Sequence, residues 1–194
     1  EVQHEEIQRL RFDIFDLVSY LRQQQVLHVW AHPFSLVTYR MTPDLLRQCF
    51  LLFDRIEIIN GQKDPSHERL LRAVLDQLDR GRLERWADRY DLEPAPFDTR
   101  WGLTAGSDDH SGLTLGRAYV EFDGEARFEG FAAAIRERRT RPIGLPKTGT
   151  SYAHTAYVGT LNFLRHSHPT GSRQSLGRVI ELVRQGQLPR AEDL

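Results

Sequence analysis

One cysteine, one methionine and two lysines stand in a chain of 194 residues, and each scarcity excludes something. The lone Cys49 forms no intramolecular disulfide and builds no Cys-rich zinc module, which fits a reducing compartment. No apolar run approaches the roughly eighteen residues of a membrane span, and no basic-then-apolar segment resembles a signal peptide. A cytoplasmic protein with no membrane partner is expected. Charge of one sign is lacking too: 26 basic residues against 27 acidic ones leave a net charge of −1, so no strong field favours nucleic acid or an anionic surface, and any phosphate recognition has to be local. Lys63 and Lys147 are the only lysines; the other basic residues are arginines spread along the chain, as a codon bias leaves them. The only methionine is the internal Met41 and the chain opens on Glu1, so further residues upstream of Glu1 are expected.

What is present is enough for one core. A hydrophobic share of 40% with 10% aromatics is too apolar for a disordered chain, and the length suits one domain rather than two independent cores. No internal repeat or low-complexity segment is visible.

Apolar spacing predicts a helix through Ile7, Leu10, Ile14, Leu17, Val18 and Leu21, then a buried strand over residues 26–31. Thr42-Pro43-Asp44 is a helix-start signature, with Leu45, Leu46, Cys49 and Leu52 as the buried face. The apolar run 56–59 closes on the turn dipeptide Asn60-Gly61, a second strand. Helices follow through Leu70, Leu71, Val74, Leu75 and Leu78, and through Leu83, Trp86 and Tyr90. Residues 93–98 form a loop, 102–106 a third strand, 117–122 a fourth, and Phe128, Phe131 and Ile135 a helix. Strands alternating with helices predict an α/β domain over 1–143 with a parallel sheet or barrel. Residues 144–194, with helical patterns at 152–164 and 176–183 and no further strand, form a helical C-terminal extension.

In α/β folds reactive groups gather at strand ends. Three strand ends here carry metal-ligand residue types: Ala31-His32-Pro33, Glu57 with Asn60, and Gly106-Ser107-Asp108-Asp109-His110. An Asp and a His two apart in an extended turn face one point, and imidazole with carboxylate suits zinc, manganese or iron. Singly, His32 reads as a hydrogen-bonded strand-end histidine, and Asp108 and Asp109 as turn formers beside Gly106 and Gly112. Their conjunction at successive strand ends argues for a metal.

In order and separation these three motifs resemble the later motifs of the PHP (polymerase and histidinol phosphatase) superfamily, over roughly residues 5–140. Gly-Ser-Asp-x-His is the most specific of them and Glu-x-x-Asn the least. The resemblance implies a distorted β/α barrel, present here as a partial barrel, holding divalent metal ions that hydrolyse phosphate esters. It makes His32, Asp108 and His110 metal ligands, with Asp108 and His110 catalytic, and Glu57 and Asn60 supporting them. The family's opening His-x-His motif and the ligands that follow it should precede the Ala-His-Pro strand, and they are absent. His4 sits in a polar tail without a strand, and His166-Ser167-His168 follows a helix.

Three other features are set aside: residues 144–151 lack the lysine of a phosphate-binding loop, Cys49 lies on an apolar helix face, and His154 stands among Tyr152 and Tyr157 as a packing residue. The leading expectation is a metal-dependent phosphoesterase acting through metal-activated water on a small phosphorylated substrate or nucleotide, with Arg117 and Lys147 as substrate-binding cations. The other is a catalytically incomplete PHP-like regulatory or interaction module of a larger enzyme. Under either, the chain alone is expected to bind metal poorly, and its open sheet to be completed by an N-terminal part of the same protein or covered by a second copy.

Overall fold

The computed structural model describes residues 4–35, 41–96, 100–145 and 147–167. Contacts divide the chain into two units, Glu1–Asp108 with Leu115–Lys147, and Asp109–Thr114 with the chain from Thr148 onward. The first contains helices α1 (His4–Leu10), α2 (Ile14–Gln23), α3 (Pro43–Leu52), α4 (Pro65–Leu75), α5 (Arg80–Tyr90) and α6 (Phe128–Arg136), and strands β1 (Arg55–Asn60), β2 (Gly102–Gly106), β3 (Ala118–Phe122) and β4 (Thr140–Gly144). The second contains α7 (Gly149–Ser167), which covers the helical pattern at 152–164. The pattern at 176–183 lies outside the described residues.

Local chemistry sets the helix starts. Asp13, Thr42, Asp64 and Asp79 each accept a hydrogen bond from the first turn, capping α2, α3, α4 and α5, and Pro43 and Pro65 occupy first-turn positions where no amide hydrogen is needed. The long first helix expected from spacing is two helices, because the Asp13 carboxylate accepts from the Phe15 and Asp16 N–H groups as a new cap and restarts the chain at Ile14.

β1 and β2 pair in parallel, β3 and β4 antiparallel. The chain is therefore mixed α/β with two two-stranded sheets and no closed barrel among the described residues. The hairpin-like pair lies against β2 without a shared ladder; the Thr140 hydroxyl donates to the Leu103 carbonyl at 2.6 Å. β4 was not expected as a strand, since Pro142 interrupts its short run. An edge strand tolerates one proline, because alternate N–H groups point away from the partner. The strand expected over 26–31 reduces to one parallel bridge between Trp30 and Ile56, made by Trp30 N to Arg55 O at 3.0 Å and Glu57 N to Trp30 O at 2.9 Å. Its apolar residues are satisfied by packing instead. Trp30 stacks on Phe53 and meets Phe50 edge-on, and His32, with φ of 32°, turns the chain away from the ladder.

Two apolar clusters hold the first unit. Phe50, Ile56, Ile58, Leu71, Leu75 and Leu78 join α3, α4 and β1, and Val18, Cys49, Leu52 and Phe53 join α2 to α3. Trp30 packs against both. Burial pushes the Cys49 thiol up to about 11, which leaves it a core residue rather than a nucleophile.

Candidate functional site

β1 delivers two polar side chains to one side of its end. Glu57 and Asn60 are three residues apart, which in a regular strand puts them on opposite faces. The register with β2 shifts between Glu57 and Ile59: Glu57 pairs with Thr104, Ile59 with Ala105, and Ile58 is the extra residue of a bulge. That one-residue slip brings both side chains together, and the Asn60 amide donates to Glu57 Oε2 at 2.9 Å.

From there a network joins the ends of β1 and β2 to the chain just after Trp30. Asn60 Nδ2 also donates to Asp108 Oδ2 at 3.2 Å, and the backbone N–H of His32 donates to Glu57 Oε2 at 2.9 Å. Gln62 N–H holds Asn60 Oδ1 at 2.9 Å, which orients the amide so that its two hydrogens face the two carboxylates. Two glycines make room. A Cβ on Gly106 would stand 2.6 Å from Glu57 Oε1, and one on Gly61 2.8 Å from the Ser107 carbonyl oxygen. With no Cβ in the way, Gly61 N–H reaches Gly106 O at 2.9 Å. His32 and Asp108 both hold left-handed backbones, with φ of 32° and 48°. Non-glycine residues adopt that region at a cost, and such strain gathers at functional sites.

Beside the network lies a cavity of about 100 Å³, lined among others by His32, Phe34, Glu57, Asn60, Lys63 and His67. Lys63 Nζ donates to Ser35 Oγ at 3.2 Å. Lys147 is half-buried and feels the charges of Lys63 and Asp64. Arg117 is half-buried, and its carbonyl accepts from Leu145 N–H at 2.9 Å; it is not among the described lining residues. Lys63, Ser35 and His67 were not foreseen as site residues, although the rarity of lysine was a signal that could have singled out Lys63.

His110 is exposed and stands in the 109–114 turn of the second unit. Within that turn Asp109 accepts from Ser111 N at 2.9 Å, Ser111 Oγ at 2.7 Å and Thr114 N at 3.1 Å. Burial pushes the Asp109 carboxyl up, but the hydrogen bonds from Ser111 and Thr114 outweigh it and hold the group well below the usual carboxylate range. A depressed folded-state pKa stabilises the turn at pH above the unfolded value, and that stabilisation is lost as pH falls through the folded value. In a carboxyl-carbon NMR titration Asp109 is expected to stay ionised near pH 3, about a unit below the ordinary aspartate midpoint. Titration together with the other aspartates would refute the turn geometry.

Imidazole and carboxylate are the right donors for a first-row metal, but the arrangement does not make a holding group. Among the described residues no three of His, Cys, Asp or Glu come together closely enough for an ion, and Glu57 Oε2 and Asp108 Oδ2 are both engaged by Asn60. The described residues by themselves do not fit a bound metal.

No helix of the described residues is long and apolar enough to cross a membrane. No curated protein and no solved structure matches the chain. The family model described as PHP-associated matches residues 98–140, which take in β2, the Gly106–His110 motif, β3 and α6. That segment is consistent with the C-terminal portion of the PHP superfamily, the family to which the strand-end motifs point.

Proposed function

We propose that this chain takes part in the hydrolysis of phosphate esters, as a cytoplasmic PHP-type domain that forms part of a distorted β/α barrel. The observation that carries the reading is the Asn60 amide bridging Glu57 and Asp108, because it ties together two of the three strand ends that carry the family resemblance, with the His32 backbone bound to the same Glu57 carboxylate. Asn60 and Glu57 position Asp108; Asp108 and His110 are the residues that the family resemblance makes catalytic toward a small phosphorylated substrate. His32, Asp108 and His110 are the residues to which the family resemblance would give a zinc, manganese or iron ion, although among the described residues they do not come together as a metal-holding group. When bound, such an ion supplies charge neutralisation and a water of lowered pKa.

The test is hydrolysis of a phosphomonoester panel by the full gene product, with added manganese or zinc. Turnover is expected, and Asp108→Ala and His110→Ala each lower it by about a hundredfold or more, the scale of a lost proton-transfer group. The second reading, a catalytically incomplete regulatory or interaction module of a larger enzyme, draws support from the missing metal-holding group among the described residues. Folded protein that binds ligand, takes up no ion and turns nothing over would favour it.

A further inference from the structure

The cavity beside the Glu57–Asn60–Asp108 network is lined by carboxylates whose engagements differ. Asp64 caps α4, its Oδ1 accepting from Ser66 N–H at 2.8 Å, and Glu68 pairs with Arg72 at 2.9 Å. Glu57 is held through one oxygen. Its hydrogen bonds among the described residues, from the His32 N–H and the Asn60 amide, each at 2.9 Å, both fall on Oε2. They fix the carboxylate in place and leave Oε1 to another donor, since an ionised carboxylate has about four acceptor sites. Gly106 keeps the space beside that oxygen clear, because a Cβ there would stand 2.6 Å from Oε1. A half-buried carboxylate oxygen of this kind takes its hydrogen bond from water or from a ligand.

Lys63 lines the same cavity, and its ammonium donates to a neutral group, Ser35 Oγ at 3.2 Å. An ammonium carries further hydrogens beyond that one, so Lys63 has charge and donors to offer a phosphoryl group. The Asn60 amide is already spent: Nδ2 donates to Glu57 and Asp108, and Oδ1 accepts from Gln62 N–H. The side chains of Phe34, Ile58 and Leu71 add an apolar wall that packs a carbon skeleton and makes no hydrogen bond. A polar group on that skeleton finds in Glu57 Oε1 an acceptor that is held in position before the ligand arrives. A hydroxyl suits it better than an ammonium, because a second cation would have to be desolvated in the cavity that Lys63 lines, and burying a charge costs more than burying a hydroxyl that finds its acceptor.

Resting on the phosphate-ester reading above, we propose that Glu57 Oε1 accepts a hydrogen bond from a hydroxyl on the alcohol part of the substrate while Lys63 takes the phosphoryl group, so that the chain prefers phosphate esters of short polyhydroxy alcohols to simple alkyl esters. Glu57 is thereby a specificity-determining residue as well as a positioning one.

The test is calorimetric titration of the full gene product with ethylphosphonate, 2-hydroxyethylphosphonate and 2-aminoethylphosphonate, whose carbon–phosphorus bonds are not hydrolysed, at one fixed pH. The hydroxyethyl compound is expected to bind about tenfold more tightly than the ethyl one, the effect of one hydrogen bond to a charged group. In Glu57→Gln the side-chain carbonyl keeps the His32 and Asn60 donors while an amide replaces Oε1. The tenfold preference is then expected to fall to about threefold, since a hydrogen bond between neutral groups is roughly half as strong. Lys63→Met keeps the aliphatic stem and is expected to weaken all three compounds by about tenfold or more. An unchanged urea midpoint in both variants excludes a folding defect as the cause. Equal binding of the ethyl and hydroxyethyl compounds, tighter binding of the aminoethyl one, or a preference undiminished in Glu57→Gln would overturn the assignment. A Glu57-dependent hydroxyl preference in a protein that hydrolyses no ester upholds the ligand class and removes the hydrolase reading; hydrolysis of ethyl and 2-hydroxyethyl phosphate at equal kcat/KM does the reverse.

Discussion

Asp54→Ala is expected to destabilise the first unit by about 3–5 kcal/mol, the usual cost of removing one partner from a buried ion pair. Asp54 stands immediately before β1 with a side chain only 8% exposed, and it pairs with Arg55 at 2.7 Å and Arg138 at 2.8 Å. Each arginine then reaches farther. Arg55 donates to the Ile135 and Arg136 carbonyls at the end of α6, and the Ile135 carbonyl also accepts from the Glu137 and Arg138 N–H groups. Arg138 donates to the Pro96 carbonyl, and the Asp54 carbonyl accepts from Gly102 N–H at 2.9 Å as β2 begins. One carboxylate thus fastens β1, α6 and the loop before β2. Its removal takes from both guanidinium groups the carboxylate that pairs them. Urea unfolding of the variant measures the effect, and a loss below about 1 kcal/mol, the range of exposed pairs, would show that the pair is solvated. Replacing all three residues by apolar ones of similar volume should recover much of the loss, because the pair's own desolvation cost disappears with it.

The second large effect belongs to Ile56→Ala, expected at about 2–5 kcal/mol from lost burial plus the cavity left behind. Ile56 is fully buried. It sits in the cluster of Phe50, Ile58, Leu71, Leu75 and Leu78, bridges to Trp30 and pairs with Leu103, so it touches each layer that could collapse into the hole and none is free to move far. The urea midpoint should fall with an unchanged slope. A cost near that of an Ile→Val change, under about 1 kcal/mol, would mean that the core around β1 is loosely packed.

Part of this architecture was legible because its causes are local. Thr42-Pro43 predicts α3 and does cap it, since capping needs only a side chain and the next few amides. Ile56–Ile59 closing on Asn60-Gly61 predicts β1, and Gly102–Gly106 predicts β2, both as found. The errors came where partners far along the chain decide. Residues 26–31 have strand composition, but their apolar side chains found α2 and α3 to pack on and their backbones found only one ladder contact. Thr140–Gly144 has a proline and lacks strand composition, yet it pairs along its length with β3.

The candidate site divides in the same way. The sequence by itself determined which chemistry was on offer: His32, Glu57, Asn60, Asp108 and His110 at three strand ends, a single buried thiol, and a charge balance that leaves phosphate recognition to local contacts. It also carried the motif that the PHP-associated match covers. Only the tertiary structure decided which of these groups meet. The bulge at Ile58 turns Glu57 and Asn60 to one side, and Asn60 takes up both carboxylates. A residue type and a spacing are properties of the local chain, whereas a register slip and the meeting of two carboxylates at one amide depend on the pairing of distant strands, which packing and desolvation settle only when the whole unit closes.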